Sequence, residues 1–240
     1  MGFFYYGDFF THRKNATRIR FFNAVKRSEI TLVISNPCGN LSFPQLLLFI
    51  TQAVKIHNMN SYMITYAVSL HFSTDVSDII SQAVRDIAEA TSNNFIIENK
   101  IPPHITIGAF HARKEDEARL LQLTAEFART QKAGVVHFSK IDNFKGKVLF
   151  LKGEKDFFLT QMNKELHSVV LREFESGENG YYLPEIWCPH TTLATRLSQG
   201  QFAKALSVAE KIPLPLEAKA CEIGFYQCSP FLELNRFVLK

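Results

Sequence analysis

The sequence predicts an α+β protein whose sheet is largely antiparallel. From residue 61 onward, segments with the 3.6-residue period of helices are mixed with strand-like runs of β-branched and aromatic residues. Several of the strand-like runs are neighbours separated only by turn-length gaps, as in hairpins. That combination favours antiparallel pairing over a doubly wound parallel sheet.

In order, Tyr62–Phe72 reads as a strand, followed by a helix from about Thr74 to Thr91. In that helix Val76, Ile79, Ile80, Ala83, Val84 and Ile87 recur at 3–4 spacing, and Thr74 or Asp75 is expected to cap it. Pro102 and Pro103 break the chain, and a strand is expected over His104–His111. A helix over about Lys114–Gln131 has three acidic residues in its first turn, favourable for its dipole. Strands near Val135–Ile141 and Lys147–Lys152 flank a turn at Asn143–Gly146. The next helix, about Lys155–Phe174, carries Phe158, Leu159, Met162, Leu166, Val169 and Val170 on one face and runs into the loop Gly177–Gly180. A strand His190–Thr195, a helix Gln199–Lys211 and strands near Lys219–Tyr226 and Leu232–Leu239 complete the chain.

Residues 1–58 are different in character: six aromatics lie within the first ten positions, scattered basic residues follow, and no clean period appears before Leu41. The folded domain is expected over 59–240. Residues 1–58 read either as an appendage with a helical arm at Leu46–Ile56 or as a misassigned start. The net charge of +4 is concentrated there: residues 1–60 hold seven Lys or Arg against two Asp or Glu, which leaves 20 basic and 21 acidic residues in 61–240. A protein that tracks long nucleic acid carries a basic excess, so the larger part suits a small phosphorylated substrate or an RNA end. Leu41–Val54 is too short to span a bilayer. Four irregularly spaced cysteines fit neither a disulfide framework nor a zinc site, and a reducing cytoplasmic setting is expected.

The chemistry is carried by a repeated pattern. Pro103-His104-Ile105-Thr106-Ile107 and Pro189-His190-Thr191-Thr192-Leu193 are both Pro-His-x-Thr-aliphatic, and both open an expected strand. Residues i and i+2 of a strand share a face, so each strand presents an imidazole beside a hydroxyl. The bare pattern His-x-Ser/Thr is weak. Four of the eight histidines fit it, His71 with Ser73 and His137 with Ser139 being the other two. Those two lack the proline and lead into polar residues, and they read as strands running into loops.

On these two motifs, 86 positions apart, residues 61–240 resemble the 2H phosphoesterase superfamily, which includes 2′-5′ RNA ligase-like proteins and cyclic nucleotide phosphodiesterases. The resemblance implies two pseudo-symmetric lobes, each giving one motif strand to a central cleft. It implies His104 and His190 as catalytic residues and Thr106 and Thr192 as substrate-binding residues. Thr191 stands where an aliphatic residue is usual, facing away from the cleft.

Two imidazoles can serve as base and acid, and the hydroxyls can donate to phosphoryl oxygens. Neither cofactor nor metal is then needed, and no metal-binding or glycine-rich phosphate motif occurs. The expected protein is a phosphoric diester hydrolase for 2′,3′-cyclic phosphates or 2′-5′-linked nucleotides and RNA ends, reversible as ATP-free 2′-5′ ligation. It is expected to act as a monomer away from membranes. The alternative is a non-catalytic RNA- or nucleotide-binding module on the same fold. Tyr181, Tyr182 and Trp187 can stack a base but read more readily as core, Lys145 and Lys147 as a solvated turn, and Cys188 as a buried cysteine beside a functional histidine. His111 and His167 have no assigned role.

Overall fold

The structure is a computed structural model that describes residues 18–22, 31–35 and 63–240. Packing divides the chain into two units, Met1–Met59 and Asn60–Lys240. In the first, β1 (Arg18–Phe22) and β2 (Thr31–Ser35) pair antiparallel, from Arg18↔Ser35 to Phe22↔Thr31. Five-residue strands hold too few alternations to stand out in a sequence, which leaves no period to read there. The expected helical arm at 46–56 lies outside the described residues.

The second unit is a doubled β-α-β-α-β pattern. The first copy runs β3 (Met63–Phe72), α1 (Thr74–Thr91), β4 (His104–Arg113), α2 (Glu117–Thr130), β5 (Gly134–Phe144). The second runs β6 (Val148–Gly153), α3 (Phe157–Val170), a two-residue strand β7 (Glu175–Ser176), β8 (His190–Ala194), α4 (Gln199–Ala209), β9 (Leu216–Gln227). β10 (Leu232–Val238) follows and pairs with β9. All strand pairs are antiparallel, in the order β7-β4-β3-β9-β5-β6-β8.

The two copies exchange their last strands. β5 pairs with β6 of the second copy, and β9 pairs with β3 of the first through Ala220–Gln227 and with β5 through Leu216–Ala220. Two lobes result. In one, α2 and α3 pack on β4, β9 and β10; in the other, α1 and α4 pack on each other and on β6 and β8. Apolar residues from both lobes form one continuous core, including Tyr66, Leu70, Ile105, Ile107, Leu151 and Leu193.

The helices follow their apolar spacing, with local differences. Val76, Ile80, Ala83, Val84 and Ile87 are buried in α1, but Ile79 is exposed because a 4-3-4 stripe leaves it off the inner face. The cap of α1 is Ser73 rather than Thr74 or Asp75. Residues 114–116 form a 3-10 turn, so α2 starts at Glu117 with a single acidic residue in its first turn. Asp156 caps α3, accepting from the Leu159 amide at 2.9 Å, and Ser198 with Gln201 forms a capping box on α4. A helical turn absent from the sequence reading, Phe95–Glu98, sits before the first motif.

Candidate active site

Strand alternation is visible in both motifs. His104 and Thr106 are partly exposed while Ile105 and Ile107 are buried; His190 and Thr192 are partly exposed while Thr191 and Leu193 are buried. β4 lies beside the β7 end of the sheet order and β8 is the last strand at the other end, yet the strands meet. Thr191 Oγ1 donates to the His104 carbonyl at 3.0 Å. The sheet is therefore curled so that its two motif strands come together. Thr191 is only 1% exposed, so its hydroxyl in an aliphatic position is accounted for by this inter-strand bond.

The two imidazoles are held alike. His104 Nδ1 lies 2.7 Å from the Pro102 carbonyl, and His190 Nδ1 lies 2.8 Å from the Cys188 carbonyl, each two residues back. A carbonyl only accepts, so Nδ1 carries the proton in both rings and Nε2 is bare in the neutral form. Burial holds both rings below the usual imidazole range, opposed by those carbonyls. Positive charge on His190, and on Arg236, lowers His104 further. A proton on one ring thus disfavours a proton on the other.

Their surroundings differ. His190 contacts Phe144 and Phe150, at ring-centroid distances of 5.0 and 4.9 Å, and Lys152 is its register partner on β6. His104 is the register partner of His71 on β3, with ring centroids 6.0 Å apart. Thr106 Oγ1 lies 3.4 Å from Ser69 Oγ. The Trp187 indole donates to the Thr106 carbonyl at 3.0 Å. Asn163 of α3 donates to the carbonyl of Ile107 at 2.7 Å, where β4 bulges against β3.

Sequence reasoning misses the polar network behind His104. The Tyr226 hydroxyl donates to Glu233 Oε2 at 2.9 Å and accepts from Arg236 Nη2 at 2.9 Å. It also lies 3.0 Å from His71 Nε2, whose N–H it accepts. Arg236 reaches Glu222 as well, at 2.9 Å. Burial first, then the charges of His104 and Arg236, push His71 down to about 2. Gly224 makes room for this arrangement: a Cβ there would run into the Tyr226 ring and stand 2.6 Å from His71 Nε2. The reading of His71 as the end of a strand running into a loop misses its burial and its place beside His104. Its only sequence signal is the weak His-x-Ser pattern.

Of the aromatics before the second motif, Trp187 is buried and Tyr182 packs against the core, whereas Tyr181 is 65% exposed and is not a core residue. Burial pushes the Tyr182 phenol up to about 12. Lys145 and Lys147 are exposed in the β5–β6 turn. Cys188 is a free thiol and only half-buried, not buried as expected. His167, buried in α3, lies 2.8 Å from the Asn163 carbonyl, and His111 lies 3.2 Å from Thr65 Oγ1. Beside the motifs is a cavity of about 330 Å³ whose lining includes both His104 and Thr192. Among the described residues no group of three or more His, Cys, Asp or Glu is placed to hold a metal ion, and no helix is long and apolar enough to cross a membrane.

A crystal structure of TT0787 of Thermus thermophilus aligns with a TM-score of 0.50 at 18% identity, over 73% of this chain and 98% of that one. The E. coli LigT structure complexed with 3′-AMP aligns at 0.46 and 17% identity, over 75% of this chain and 99% of that one. No curated protein sequence matches the chain. The family model of the 2′-5′ RNA ligase superfamily matches residues 77–228, a span that takes in both motifs. The chain belongs to the 2′-5′ RNA ligase superfamily, the 2H phosphoesterases.

Proposed function

We propose that the chain is a metal-independent phosphodiesterase that opens 2′,3′-cyclic phosphates or cleaves 2′-5′ linkages at nucleotide and RNA ends, with His104 and His190 as its proton-transfer pair. The observation that carries this reading is the shared tautomer: each motif uses the carbonyl two residues back to hold Nδ1–H. Each Nε2 is then free to take or give a proton. In hydrolysis of a cyclic phosphate, one neutral Nε2 accepts a proton from water as its oxygen bonds to phosphorus. The second imidazole, protonated, gives its proton to the ribose oxygen as the P–O bond breaks. Thr106 and Thr192 donate hydrogen bonds to the non-bridging oxygens, where charge builds. With an RNA 5′ hydroxyl in place of water, the same proton transfers open the cyclic phosphate onto that oxygen. The ribose 3′ oxygen leaves with a proton, and two RNA ends are joined through a 2′-5′ bond without ATP. Run backwards, the 3′ hydroxyl attacks phosphorus and the 5′ oxygen leaves, which cleaves the 2′-5′ linkage.

The mutual disfavour of two protons fits the state this mechanism requires, one ring neutral and one charged. The deciding experiment is a screen of 2′,3′-cyclic, 2′-5′ and 3′-5′ substrates with wild type, His104→Ala and His190→Ala, identifying the product phosphate. Turnover of a cyclic or 2′-5′ substrate that both variants abolish supports the reading. RNA binding without turnover of any substrate identifies a binding module instead.

A further inference from the structure

The two motif threonines stand in unlike surroundings. In register, Thr192 on β8 faces Phe150 of β6, which has no polar side-chain group to offer, whereas Thr106 on β4 faces Ser69 of β3. Residues directly opposite in neighbouring strands share a face, and Ser69 Oγ lies 3.4 Å from Thr106 Oγ1. Ser69 is buried, and its partner on the other side, in β9, is Gly224, which has no side chain. A buried hydroxyl needs an acceptor for its proton, and among the described residues Thr106 Oγ1 is the one in reach. Ser69 therefore donates and Thr106 accepts. At 3.4 Å the bond is long for two hydroxyls, as bonds around a catalytic group are before substrate draws them in. A second hydroxyl reaches the same side chain. The Tyr182 phenol is within hydrogen-bonding range of Thr106, and burial pushes its pKa up to about 12, so at neutral pH it is a donor. Its backbone is pinned there by α3: the Asn163 amide donates to the Tyr182 carbonyl at 2.9 Å and to the carbonyl of Ile107, next to Thr106, at 2.7 Å. A threonine oxygen has two lone pairs and one proton. With both pairs filled, the proton is left to point out of the partly exposed face of β4.

Resting on the function proposed above, we infer that Ser69 and Tyr182 are positioning residues for Thr106, donating to its oxygen so that its own proton is aimed at the phosphoryl group before substrate arrives. The two lobes then share the work unequally. Thr106 meets the developing charge with its hydroxyl already turned, which costs no reorganisation at the moment of reaction. Thr192, opposite a phenylalanine, has to turn its hydroxyl for each substrate.

The test is a pair of double-mutant cycles on a nucleoside 2′,3′-cyclic phosphate. Ser69→Ala and Tyr182→Phe each remove one hydroxyl. Each is expected to lower kcat about fivefold, the worth of one neutral hydrogen bond, with KM within about twofold. In a Thr106→Val background neither change lowers kcat further, because the group they orient is gone. In a Thr192→Val background each costs the same factor as in wild type. A merely structural role would reduce activity alike in both backgrounds. A kcat that neither change moves, or a loss that recurs in full in Thr106→Val, overturns the inference. If no substrate is turned over, the functional reading fails separately, and urea midpoints of Ser69→Ala, Thr106→Val and the double variant decide the hydroxyl contact. Non-additive shifts uphold it and additive shifts overturn it.

Discussion

Adjacent threonines in the second motif are expected to fail in opposite ways. Valine matches threonine closely in volume and β-branching, so Thr191→Val and Thr192→Val each remove a hydroxyl without opening a cavity or changing strand preference. At position 191 the lost group is 1% exposed and donates to the His104 carbonyl at 3.0 Å. The loss is about 1 kcal/mol for the bond itself, rising toward about 3 kcal/mol if that carbonyl finds no other donor. In a folded unit of this size that lowers Tm by about 2 to 12 °C. At position 192 the hydroxyl is on the partly exposed face, so stability stays within about 0.5 kcal/mol. Loss of a donor to a phosphoryl oxygen instead lowers kcat about 10²-fold. Urea unfolding at constant m-value and steady-state kinetics on the same two proteins measure both effects. If Thr191→Val unfolds at the wild-type midpoint, or if Thr192→Val destabilises more than Thr191→Val, the assignment of these side chains to opposite faces of β8 is wrong.

Four further outcomes are expected. The rate–pH profile is bell-shaped, and both limbs disappear with the activity in His104→Ala and His190→Ala. Acid stability reports on His71: its folded pKa is held down to about 2 by burial first, whereas the unfolded imidazole takes a proton near pH 6.5. Stability is thus fully present above about pH 6.5 and falls by about 1.4 kcal/mol per pH unit as pH drops toward 2, and His71→Gln flattens that slope in urea melts taken from pH 7 to 4.5. Gly224→Ala drives a methyl into Tyr226 and His71 and costs about 1–3 kcal/mol, read as a lowered Tm. Activity survives dialysis against a strong chelator, and its loss there, restored by a divalent cation, would count against two-histidine catalysis.

The parts of the site that are legible in the sequence are those set by local geometry. Period-two alternation is enough to place His104 with Thr106, and His190 with Thr192, on one face of a strand, and proline before each histidine marks where the strand opens. The stripe of α1 is legible for the same reason, apart from Ile79 at its edge. What stays hidden depends on register between distant strands. His71 meets Tyr226 across 155 positions, because β3 pairs with β9 and Gly224 lets the phenol lie along the strand. Thr191 and the His104 carbonyl are 87 positions apart and meet only because the sheet curls. Neither separation leaves a periodic trace. The turn Phe95–Glu98 and the two residues of β7 are too short to generate one.

Strand exchange between the two copies governs when the site can come into being. β9 is needed beside β3 as well as β5, so a chain emerging from the ribosome has His104 early but lacks the neighbour that completes its lobe until Leu216–Gln227 is made. Neither half can be cut out and expected to stand alone, since each would expose an unpaired edge where its borrowed strand belongs. Nascent chains truncated before Leu216 should therefore remain protease-sensitive throughout, with protection arriving in a single late step.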